Sequence, residues 1–95
     1  MATLVKNKSN FIVIKLSKKE AHSLGWGINN DGTCICGDCN KIIKGDIYYP
    51  IVLCDTYCKK CYEKQIKDAT NYEEDRPLEK ASYMQLKKYL NIKED

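Results

Sequence analysis

Apolar residues fall in four stretches along this chain, and the period of each predicts an element. Phe11-Ile-Val-Ile-Lys-Leu16 is a nearly continuous run rich in β-branched residues, which predicts a strand. Ser17-Lys-Lys-Glu20 then has the form of a capping box, in which the Ser17 side chain accepts from the Glu20 amide and Glu20 reaches back to Ser17. A short helix is expected here, turning Ala21 and Leu24 inward and stopping at Gly25. Ile47-Tyr-Tyr-Pro-Ile-Val-Leu53 is the second apolar run, reversed at Asp55-Thr56. Beyond it Tyr62, Ile66, Ala69 and either Tyr72 or Glu73 recur at helical spacing, giving one apolar face to a helix that runs to about Tyr72. Tyr83, Leu86, Tyr89 and Leu90 repeat that spacing after Pro77 and predict a last helix over 78–90. Asn29-Asn-Asp-Gly32 is a turn signal, with Asp31-Gly32 suited to a hairpin leading into Thr33-Cys34-Ile35. Residues 1–10 are polar and expected to fray.

The cysteines change this picture from a list of elements to a plan. Cys36-Gly-Asp-Cys39 and Cys58-Lys-Lys-Cys61 are two C-x-x-C pairs separated by eighteen residues. A two-residue gap lets both sulfurs of a tight turn reach one tetrahedral ion at about 2.3 Å, and two such turns complete its shell. Cys36, Cys39, Cys58 and Cys61 are therefore the candidate ligands of one structural zinc. Six cysteines could instead form three disulfides. The polar start and the lysine that interrupts Phe11–Leu16 predict neither a signal peptide nor a membrane span, and a cytoplasmic chain keeps its thiols reduced, which favours metal. Cys34 and Cys54 are left over. They read as small, partly buried residues, because the spacing of all six does not fit the fungal two-metal cluster.

In order, the predicted elements around the cysteines are a knuckle, a hairpin, and a helix that starts at the last two ligands. This order resembles the treble-clef zinc fold, and the lead-in C-x-x-C-x-K-x-I-x-x-G from Cys36 resembles a zinc module of LIM-type domains. The resemblance covers residues 36 to about 72. LIM domains carry two modules in tandem and often a histidine ligand, whereas this chain has one all-cysteine set, so LIM partners do not carry over. The expected fold is α+β: one small zinc-stabilised domain over 1–95, with an N-terminal strand and short helix, the zinc module over 34–72 and the C-terminal helix. At 95 residues and 43% hydrophobic composition, such a chain is short for a self-sufficient core, and its folding is expected to depend on the metal.

Charge and the remaining side chains bear on function. The formal charge of +3 falls to about +1 once four thiolates hold a divalent ion, so the protein is not a polycation. A closed four-thiolate site has no position for water. No histidine adjoins a cysteine, and His22, the lone histidine, reads as a surface residue, so an enzyme is not expected. Trp26, the single tryptophan, could anchor a partner, but so small a domain needs its area for the core. Lysines around the cysteines and seven tyrosines allow an alternative reading as a nucleic-acid-binding module, opposed by the presence of only one arginine.

The leading expectation is a protein-binding module. Asp68, Glu73, Glu74, Asp75 and Glu79 form an acidic stretch that follows the basic Lys59, Lys60, Lys64 and Lys67, and it is the predicted partner surface. The Lys-, Asn- and Ile-rich composition of the whole chain resembles that of small accessory proteins of phages of low-GC bacteria, among them metal-containing anti-CRISPR inhibitors that bind Cas9. That resemblance implies an inhibitor in the host cytoplasm, with the acidic stretch facing a nuclease whose nucleic-acid channel is basic.

Overall fold

A computed structural model describes residues 2–7, 10–28, 32–69 and 72–93. Its elements in order are β1 (Thr3–Val5), β2 (Val13–Leu16), α1 (Lys18–Ser23), β3 (Ile47–Pro50), α2 (Lys59–Asp68) and α3 (Arg76–Tyr89), with short 3-10 turns at Ile51–Leu53 and Glu73–Asp75. The chain is a small α+β protein built on an antiparallel sheet of order β1-β2-β3.

The central strand carries the core. Val13, Ile14 and Leu16 are almost wholly buried, and the register sets Leu16 opposite Ile47 and Val13 opposite Pro50. Successive side chains of a strand point to opposite faces. Accordingly Tyr48 stacks on Tyr62 of α2 with ring centroids 4.6 Å apart, while Tyr49 meets Trp26 at 4.7 Å. Tyr49 also shares a small cavity with Leu86 and Tyr89 of α3. The sheet is thus covered on both faces, which is why β2 reads as a continuous apolar run rather than an alternating one. Trp26 packs half-buried against this core, and His22 lies exposed on α1.

The α1 boundaries follow from local chemistry. Glu20 N–H donates to the Ser17 hydroxyl at 3.2 Å and Ser17 N–H to the Glu20 carboxylate at 3.0 Å, the reciprocal pair expected of a capping box. At the other end Gly25 takes φ +78°, and Gly25 and Trp26 N–H donate to the His22 and Ala21 carbonyls, each at 2.9 Å. This pair of bonds is a Schellman closure, and it delivers Trp26 directly beneath the helix end.

Several boundaries differ from expectation. Residues 3–5 form an edge strand: Leu4 N–H donates to Lys93 O at 2.9 Å and Lys93 N–H to Ala2 O at 2.8 Å, so the two ends of the chain tie each other down. Asn7 closes the turn into β2 through its side chain, donating to Phe11 O at 2.8 Å and accepting from Phe11 N–H. The apolar run 47–53 breaks at Pro50 into a 3-10 turn, because proline has no N–H to continue a ladder. Helix α2 stops at Asp68, short of Tyr72, and α3 begins at Arg76 with Pro77 in its first turn. Of the turn expected at Asn29–Gly32, residues 29–31 lie outside the described residues, and Gly32 takes φ +84°.

Candidate metal centre

Two separate pieces of backbone bring the cysteines together. In the first, the chain turns at residues 37–39, and Asn40 takes a left-handed φ of 60°. Asn40 N–H donates to Cys36 O at 3.0 Å, Cys36 N–H to Lys41 O at 2.9 Å, and Ile43 N–H to Cys34 O at 2.9 Å. These bonds clamp the turn between Ile35 and Ile42, which bridge as an antiparallel pair. The second piece begins where the chain leaves the 3-10 turn through Cys54, also left-handed at φ 51°, and Tyr57 then pairs back on Tyr48. Cys58 becomes the N-cap of α2 and Cys61 lies in its first turn. Gly37 N–H donates to Thr56 O at 2.8 Å and the Thr56 hydroxyl to Ile35 O at 3.0 Å, fastening one piece to the other before any ion is considered. A Cβ at Gly37 would meet the carboxylate of Asp55, an exposed side chain that would have to swing aside.

The result is that the sulfurs of Cys36, Cys39, Cys58 and Cys61 all lie within 4.8 Å of one another. Four thiolates at about 2.3 Å from a tetrahedral ion are separated by about 3.8 Å, so a small contraction closes the shell. Four cysteine sulfurs, with no carboxylate or histidine among them, are the donor set of a soft-ligand tetrahedral site.

The local electrostatics favour thiolate at the first ligand. Burial pushes the Cys36 thiol up, but the backbone N–H groups of Cys39, Cys58 and Asp38 point at its sulfur and outweigh burial, holding its pKa down to about 6. The Cys61 thiol is pushed up, first by its hydrogen bond with Cys58 and then by burial beside the other sulfurs. Crowded thiolates of this kind oppose one another until a cation neutralises them.

Cys34 and Cys54 stand outside the cluster. Cys34 is buried in the core, and the exposed Cys54 donates its thiol to Ile51 O at 3.3 Å.

The acidic stretch is divided by the fold. Glu73 and Glu74 are exposed and Asp75 half-buried in one 3-10 turn, while Asp68 ends α2. Glu79 must be removed from the predicted partner surface. It is 5% exposed, and its carboxylate accepts from Ile12 N–H at 3.0 Å. The periodicity of α3 holds the signal for this: Glu79 shares a face with Tyr83, Leu86 and Leu90 at helical spacing.

Sequence reasoning also missed an open groove of about 730 Å³ beside the cluster, lined by Cys39 and Cys58, by the apolar Ile42, Ile43 and Tyr48, and by Lys41, Lys44, Asp46 and Lys59. Among the described residues no helix is long and apolar enough to cross a membrane. Compared with protein families, with curated proteins and with solved structures, the chain has no match.

Proposed function

We propose that this chain is a zinc-stabilised, non-catalytic protein-binding module that acts as an inhibitor or regulator by direct contact with a basic partner. The observation that carries this reading is the outer surface around the start of α3. Glu73, Glu74 and Asp75 sit in one turn there, between Tyr72, 56% exposed, and Leu78, 70% exposed. Apolar anchors within an acidic rim are the composition of a protein interface rather than of a phosphate-binding face.

Zinc is the metal of choice for four thiolates in a tetrahedral set, and when bound it cross-links the 36–39 turn to the start of α2. The order of turn, β3 hairpin and ligand-bearing helix supports a treble-clef-like zinc element. Such a site is closed, so its contribution is rigidity: it fixes α2, and through Tyr62 and Tyr48 the sheet beneath α3. Within this class of partner, a nuclease with a basic nucleic-acid channel such as Cas9 fits the acidic turn.

The test is DNA cleavage by a purified Cas9–guide RNA complex with the zinc-loaded protein added. Inhibition is expected for the native chain and is lost when Glu73, Glu74 and Asp75 are all changed to lysine, with zinc content unchanged and the melting temperature lowered only by the cost of cations at the start of α3. Tight DNA binding at physiological salt, lost on neutralising Lys59, Lys60 and Lys64, would instead establish the nucleic-acid reading.

A further inference from the structure

We propose that the groove between α3 and the chain running from β3 into the 3-10 turn at Ile51–Leu53 takes a short segment of the partner protein in which apolar side chains are followed by arginine or lysine. This rests on the reading of a basic protein partner and names the element of that partner that is recognised; it does not require the partner to be Cas9. Two cavities of about 190 and 240 Å³ lie along the groove, and Ser82 lines both. Leu78, Ser82, Gln85 and Tyr89 follow one another at intervals of three and four. They form one stripe of α3, next to the buried stripe of Glu79, Tyr83 and Leu90. From Leu78 to Tyr89 this stripe is about 17 Å long at about 1.5 Å per residue, the length of about five residues of extended chain.

The stripe offers apolar area at both ends. Leu78 is 70% exposed and Tyr89 77% exposed, and the half-buried Val52, Tyr49 and Leu86 line the wall between them. Tyr49 is fixed by its ring contact with Trp26 at 4.7 Å. An aromatic wall that is already ordered loses little side-chain freedom when a ligand covers it.

The lining selects the sign of the occupant. Asp75 and Glu79 line the end of the groove at the start of α3, together with Cys54, and no lysine or arginine among the described residues lines either cavity. Arg76, next in sequence to Asp75, lines a different cavity with Leu4 and Phe11. The ion pair found among the described residues is Lys64 with Asp38, so the Asp75 carboxylate is not neutralised by a cation. Tyr49 reports the same field: burial pushes its hydroxyl up first, and Cys54 and the Asp55 carboxylate push it further. The exposed Glu73 and Glu74 extend this acidic end outward. A cation is therefore favoured at the Asp75 end, apolar side chains fall toward Tyr89, and a phosphate backbone is repelled.

The experiment is fluorescence anisotropy of the full zinc-loaded chain with three labelled probes: a short peptide of leucines followed by arginines, its counterpart with glutamates in place of the arginines, and oligothymidylate. The arginine peptide is expected to bind on the order of tenfold tighter than the glutamate peptide, with the difference shrinking at high salt. Its binding slows alkylation of Cys54 by iodoacetamide, mapped by mass spectrometry, because that exposed thiol lines the groove while Cys34 is buried and Cys39 belongs to the metal cluster. Ser82→Arg changes an exposed helix position to a good helix former, so it leaves zinc content and folding intact while abolishing binding of the arginine peptide. Asp75→Asn lowers the preference for arginine over glutamate. If the native chain binds the arginine peptide without inhibiting Cas9, the groove stands and the choice of Cas9 falls. If Ser82→Arg inhibits Cas9 as well as the native chain does, the groove falls and the acidic turn alone carries the contact. Equal binding of the two peptides, no binding at millimolar peptide, unchanged Cys54 alkylation at saturation, tighter binding of oligothymidylate, or self-association of the native chain that Ser82→Arg removes would each overturn the proposal, the last in favour of a second copy of this chain.

Discussion

The carboxylate of Glu79 on α3 accepts the backbone N–H of Ile12, sixty-seven residues away, at 3.0 Å. This single bond joins the last helix to the entrance of the central strand. It is also the reason that one member of the acidic stretch is buried while Glu73 and Glu74 stay exposed. A charge-assisted bond to a buried amide contributes about 1.5–3 kcal/mol, and its loss leaves a donor unpaired. Glu79→Ala is expected to lower unfolding stability by that amount with metal content unchanged. Glu79→Gln, which still offers an oxygen acceptor, should recover part of it. Chemical denaturation followed by tyrosine and tryptophan fluorescence measures both.

Removal of one ligand is expected to have a much larger effect. Structural zinc contributes on the order of 10 kcal/mol of apparent binding energy, comparable to the net stability of a domain this size. Cys58→Ser or Cys61→Ser should therefore abolish metal retention and cooperative melting together, and a strong chelator should do the same to the native chain. Elemental analysis is expected to give one metal per chain, a ratio retained by the Cys34→Ser, Cys54→Ser double variant, since neither sulfur belongs to the cluster.

Asn40 provides a milder test of the same site. Its φ of 60° is a conformation that glycine and asparagine tolerate and that a β-branched residue does not. Asn40→Gly is expected to leave the melting temperature of the metal-loaded protein within error of the native value. Asn40→Val should cost about 1–2 kcal/mol and weaken metal affinity in competition with a chromophoric chelator.

The pH dependence follows from Cys36. Its thiol is lowered from the ordinary 9.0 to about 6, so the stabilisation that its thiolate gives is complete above pH 9 and is lost as pH falls through 6. Because the metal-free chain is expected to unfold, its Cys36 thiol is the ordinary one and is protonated at pH 7.5, so metal uptake at that pH should release the Cys36 proton along with that of Cys61. Calorimetric titration in two buffers of different ionisation enthalpy counts the protons released. Release of only one or two would show a metal-free chain that is already folded with Cys36 ionised.

Each pair of candidate ligands was legible in the chain because its geometry is local. A C-x-x-C turn places two sulfurs on one side of a few residues of backbone, whatever the rest of the fold does. The α1 boundaries were legible for the same reason: Ser17, Glu20 and Gly25 satisfy helix ends with their own atoms or their own φ. Long-range pairing was not. Nothing in Thr3-Leu-Val5 distinguishes an edge strand from a frayed end, since what orders it is the backbone of Lys93 and of β2 arriving from elsewhere. Charge likewise gives no warning of burial. Glu79 and Glu74 are the same residue in the same acidic stretch, and only the docking of α3 over Ile12 takes one of them into the core and leaves the other in water. The groove beside the cluster is a tertiary product too: Lys41 and Lys44 follow the turn that carries Cys36 and Cys39, Lys59 comes from the start of α2, and the closing of the four-cysteine cluster is what brings them to one groove.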